Sequence, residues 1–158
     1  METHSVVLRQ LPVALYVQSR QHNEALYREF AFIAEGNTDP ETVPVRLLQV
    51  VNYLRSRYGG LNAAMQEEME AAIVRGDEHV DVEIKVPIES RSAIPMLASL
   101  LEEVDDFCGS GALLTLRTPE EVRSLRVWYL EQIRDQLYGA PALPWPVWRG
   151  DRAPSAPA

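Results

Sequence analysis

Three groups of residues in this chain are of types from which chemistry is made. Ser19, His22 and Asn23 fall on the same arc of a helical repeat as Leu15 and Leu26, which puts a hydroxyl, an imidazole and an amide into an apolar stripe. Polar groups so placed need partners when buried. They either satisfy one another along a seam or line a pocket, and His22 is then a group whose charge can change near neutral pH. Arg126 is the second oddity, because its helical arc otherwise contains Val122, Leu125, Trp128, Tyr129, Leu130, Ile133 and Leu137. A guanidinium there requires a carboxylate or carbonyl, and serves either a structural ion pair or a bound anion. The third group is Trp145 and Trp148, set among Pro141, Pro144 and Pro146. Proline-interrupted aromatics favour an extended, polyproline-like strap outside any helix. Such a strap folds back on its own domain or offers tryptophan anchors to a partner. These six residues are the binding candidates, and none is assigned a catalytic role.

Other chemistries lack their signatures. Gly59-Gly60 and Gly109-Ser110-Gly111 follow helical patterns, whereas phosphate loops precede helices. One cysteine and three scattered histidines do not have the spacing of a zinc site. Asp105-Asp106 beside Glu102-Glu103 gathers carboxylates, but consecutive helical residues point in different directions and hard cations favour loop geometry. No nucleophile elbow occurs. Cys108 shares a helical face with Leu97, Leu101 and Val104, where a thiol packs and stays inert. The expectation is no catalytic residue, no metal and no cofactor.

The net charge of −8, from 15 basic and 23 acidic residues, argues against nucleic acid and against an anionic membrane surface as partners. Glu67, Glu68, Glu70, Asp77, Glu78, Asp81 and Glu83 concentrate acid in the middle of the chain, as a solvated face or as a patch that steers a basic partner. A single cysteine allows no internal disulfide. The opening Met-Glu-Thr-His does not read as a secretory signal, and no apolar run approaches the ~18 residues of a membrane span. A soluble, cytoplasmic protein is expected. Lys85 is the only lysine beside fourteen arginines, a bias that fits a GC-rich coding genome.

The elements that must hold these residues follow from periodicity. Ser5 to Leu11 reads as a strand, and a helix follows from Pro12 to about Ala34. Two helices, from Val45 to Tyr58 and from Leu61 to Arg75, read as a hairpin around Gly59-Gly60. Val80, Val82, Ile84 and Val86 alternate with polar residues, the pattern of a half-buried strand. A helix from Ser92 to Cys108 and a short strand from Leu113 to Leu116 complete a strand–helix–strand unit, normally a right-handed crossover between parallel strands. Thr118-Pro119-Glu120-Glu121 launches the last helix as a capping box, with Thr118 as the cap, and Gly139 stops it. The fold class expected is α/β or α+β: a small sheet of about three strands with a βαβ unit, packed by about five helices. Residues 1–146 form one globular domain, and 147–158 a Pro/Ala-rich disordered tail.

The stretches LPVALYVQSRQHNEALYREFAFIA, VPVRLLQVVNYLRSRYGG and LLTLRTPEEVRSLRVWYLEQIRDQLYGAPALPWP resemble a family of small actinobacterial proteins without assigned activity. That family in turn resembles accessory components of sigma-factor regulation, alongside anti-sigma kinases and their phosphatases. The resemblance covers the chain up to about Trp145 and carries no known binding or catalytic residue with it. It implies a regulatory role. The function expected is a non-catalytic cytoplasmic regulator that acts through protein–protein contacts in bacterial transcription or stress signalling. The alternative is a small-molecule sensor with a pocket near His22 and Arg126. The partner expected is another protein, with a homodimer compatible with the same features.

Overall fold

Val6, Leu8 and Leu11 turn inward along one segment, and Val82, Ile84 and Val86 along another, while Glu83 and Lys85 face water. The computed structural model, which describes residues 2–36, 42–58, 63–109 and 118–152, pairs these segments as an antiparallel sheet of β1 (Thr3–Pro12) and β2 (His79–Pro87). Simple alternation would put Leu8 and Leu11 on opposite faces. A bulge prevents this: Leu8 lies opposite Val82 and Leu11 opposite Val80, so Arg9 and Gln10 together oppose Asp81. Gln10 adopts φ 55°, and its N–H donates to Asp81 Oδ1 at 2.7 Å, which holds the extra residue in place.

Helix α1 (Val13–Gly36) leaves the sheet directly, its first N–H bonded to Glu78 O at 3.0 Å. Helices α2 (Val43–Tyr58) and α3 (Ala63–Arg75) follow. After β2, a 3-10 segment (Ile88–Ala93) leads into α4 (Ile94–Gly109), and the chain closes with α5 (Glu120–Leu137) and α6 (Trp145–Arg152). The mixed α/β class is as expected, with six α-helices and two strands among the described residues. Leu113 to Leu116 lies outside the described residues, and with it the expected third strand and the crossover it would complete. The strand that pairs with β2 is β1, antiparallel.

Two apolar clusters form. One lies under the sheet and joins Val6, Leu8, Val82 and Ile84 to Met69 of α3, Trp128 of α5 and Trp145 of α6. The other joins Leu26 and Phe30 of α1 to Leu47 of α2 and to Leu100, Val104 and Cys108 of α4, so the thiol is core as expected. Among the described residues α2 packs on α1 and α4, and α3 on β2, while the turn at Gly59-Gly60 on which the expected hairpin rests lies outside the described residues. Helix α1 spans both clusters.

The C-terminal segment differs most from its sequence reading. Trp145 and Trp148 lie on α6, not on an extended strap, and the helix continues through residues 147–152, across the expected start of the tail. The prolines permit this because of where they fall. Pro144 precedes the helix and its carbonyl accepts from Trp148 N–H at 3.0 Å, while Pro146 occupies the first turn, where a missing N–H breaks no bond. Both tryptophans are buried. Trp145 stacks on Trp148 at 5.6 Å between ring centroids and meets Trp128 edge-on at 5.7 Å. Residues 153–158 lie outside the described residues.

Candidate functional site

Polar groups of α4, of Thr118 and of α5 lie between the two apolar clusters. Asp105 falls four residues after Leu101 and three before Cys108, which carries its carboxylate into the apolar face of α4 and leaves it 3 % exposed. Its Oδ1 accepts from Thr118 N–H at 3.2 Å and from the Thr118 hydroxyl. Its Oδ2 accepts from Arg126 Nη2 at 3.0 Å. The same Nη2 lies 3.1 Å from Glu102 Oε1, which Arg123 Nη2 also approaches at 2.9 Å. On the other side, His22 Nε2 lies 3.1 Å from Thr118 Oγ1. Thr118 has a single hydroxyl hydrogen and gives it to Asp105, so Nε2–H of His22 must be the donor to Thr118. A continuous chain results, His22–Thr118–Asp105–Arg126–Glu102–Arg123, running from α1 across α4 to α5.

Electrostatics keep this chain charged on one side and neutral on the other. Burial pushes the Asp105 carboxyl up, but the Thr118 hydrogen bonds and the Arg126 guanidinium outweigh it and hold the carboxyl below its ordinary value. Burial pulls the His22 imidazole down, Asp105 raises it and Arg126 lowers it, and the net result is below 6.5. The arrangement is that of a latch. Thr118 Oγ1 both donates and accepts, and both Asp105 oxygens are engaged, so these groups are bonded to one another.

Of the expected site residues, the structure brings His22 and Arg126 into one network and makes a carboxylate, of the two partner types expected, the partner of Arg126. Ser19 is half-buried and Asn23 exposed, and the chain of hydrogen bonds among the described residues does not reach either. Trp145 and Trp148 turn inward and are buried. Thr118 is not the helix cap: Pro119 takes that position with no side-chain cap bond, because the Thr118 hydroxyl is used on Asp105. Sequence reasoning missed Asp105 as the centre. The signal was present, a carboxylate on the stripe of Leu101, Val104 and Cys108. Among the described residues, no group of three or more His, Cys, Asp or Glu is placed to hold a metal ion, and no helix is long and apolar enough to cross a membrane.

A second feature lies at the start of α1. An open depression of about 550 Å³ runs between the start of α1 and the end of α3, with Val13, Ala14, Val17 and Ile73 on its walls and Gly76 to His79 at one end. Gly76 turns the chain there with φ 76°. Ile73 is 42 % exposed and its neighbour Val74 87 %. Glu67, Glu68, Glu70 and Glu78 are exposed nearby in the chain. Comparison of the chain with family models, with curated proteins and with solved structures finds no match.

Proposed function

We propose that this protein is a non-catalytic regulator that works by binding another protein, in the cytoplasm and in the setting of bacterial transcription or stress signalling. The observation that carries this reading is the apolar depression between α1 and α3, with Ile73 partly in water on its wall and Val74, the next residue in the chain, exposed. Apolar surface that is exposed beside charged neighbours marks contact sites for other molecules. The alternative, a ligand pocket at His22 and Arg126, has less support, because the groups there satisfy one another.

Affinity capture from the native host tests the proposal, with the wild-type chain and Val74→Asp as paired baits. Val74 is 87 % exposed, so the substitution leaves the fold intact, which a thermal melt verifies. A protein retained by the wild type and lost by Val74→Asp supports the reading. Retention by both places the contact elsewhere, and a wild-type bait that retains nothing overturns it.

A further inference from the structure

Resting on that reading, we propose that the depression between α1 and α3 receives an amphipathic helix of a partner protein, whose apolar side chains are flanked by arginine or lysine. The walls supply the first half of the argument. The start of α1, with Val13, Leu15 and Val17, forms one wall, and Ile73 at the end of α3 with the turn Gly76 to His79 forms the other. An open apolar groove of this kind suits the apolar face of an amphipathic helix, whose i, i+3, i+4 and i+7 side chains enter as a row of anchors. The volume of about 550 Å³ accommodates several such side chains.

Charge supplies the second half. Glu70 precedes Ile73 by three residues and Val74 by four, so it shares their side of α3. Asp77 and Glu78 close the end of the slot. The nearby cation Arg75 is already bonded to Asp77 at 2.9 Å, so the rim remains net negative. A basic flank on the partner gains from this rim both in orientation and in rate of encounter.

Two other occupants fit less well. The last six residues, Ala-Pro-Ser-Ala-Pro-Ala, hold no large apolar side chain to fill the slot. A second copy would set one acidic rim against another on chains of net charge −8.

The experiment uses the full chain and two synthetic helical peptides of one pattern, Leu/Lys and Leu/Glu, with amide chemical shifts as the readout. The Leu/Lys peptide is expected to give saturable shifts confined to residues 13–17 and 70–79. Its affinity falls about tenfold in the Glu70→Lys/Glu78→Lys variant, equivalent to ~1.4 kcal/mol, and falls as salt rises. Equal binding of the Leu/Glu peptide refutes the charge selection while leaving the protein-contact reading standing. Leu/Lys shifts scattered over other acidic surface, or no binding at all, overturn the assignment of this slot to a basic helix. Concentration-dependent shifts at residues 13–17 and 70–79 without peptide make the occupant a second copy and likewise overturn it.

Discussion

With both Asp105 oxygens engaged, Arg126→Leu removes one partner and leaves a carboxylate whose side chain is 4 % exposed facing apolar surface. Breaking a buried pair from one side costs about 3–5 kcal/mol, which at roughly 2–4 °C per kcal/mol for this size lowers the Tm by about 10 °C. Adding Asp105→Asn to Arg126→Leu should restore part of that loss, since an amide still accepts from Thr118 without a buried charge. Chemical denaturation of the single and double variants measures the coupling, and simple additivity would show that the pair does not act as a unit. His22 makes the seam sensitive to acid. Its folded pKa lies below 6.5, so the unfolded chain binds the proton first as pH falls. Stability from this group is complete above about pH 6.5 and declines as pH falls towards the folded value. Asp105, also depressed, adds a further loss below its unfolded value of about 3.9. His22→Gln keeps an N–H for Thr118 and removes the titration, so its melting temperature should fall less steeply than wild type below about pH 6.5. Identical slopes would assign the acid sensitivity to another group.

At the scale of elements, side chains complete what the backbone leaves open. Val7 directs its N–H to Gln136 Oε1 at 2.9 Å and its carbonyl accepts from Gln136 Nε2 at 2.8 Å, so a glutamine of α5 stands in for a neighbouring strand on the outer edge of β1. Gln132 Oε1 accepts from Gln136 Nε2 at 3.1 Å and from Leu143 N–H at 2.9 Å, which ties the same edge to the approach of α6. Gln136→Ala leaves two half-buried backbone groups of Val7 without this partner and should cost about 1 kcal/mol. Hydrogen exchange at the Val7 amide should accelerate by more than any change at Val6, and no selective change would remove the edge role. Trp145→Ala opens a cavity between Trp128 and Trp148 and should cost about 3–5 kcal/mol, read from the denaturation midpoint. The periodicity of Val80 to Val86, and the apolar stripes of α1 and α4, were legible because burial on one face imposes a period on the sequence. The helix at Trp145 was not, because proline looks like a breaker until its place in the first turn is known. Gln136 was equally hidden, since its role comes from β1, more than a hundred residues away in the chain.

Across the whole molecule, two apolar clusters share α1 and meet at the His22–Asp105–Arg126 seam, while the acid-rimmed slot opens where α1 leaves the sheet. The sequence showed that His22 and Arg126 were out of place on apolar faces, and that Arg126 needed a carboxylate or carbonyl. It did not show that Thr118 and Asp105 join them, because that contact needs three helices in position. The acidic segment was visible as composition. Its position beside an apolar slot was not, because Val13 and Ile73 meet only through the packing of α3 on β2 and α1. These features divide the molecule into an inward-facing polar latch that holds the fold and an outward-facing slot proposed for contact. Hydrogen exchange of the wild-type chain, alone and with the protein it captures from its host, tests that division most directly. The account predicts new protection at residues 13–17 and 70–79, with the amides around Asp105 and Arg126 unchanged. Protection confined to α2, or to the α4–α5 seam, with none along the slot would contradict it.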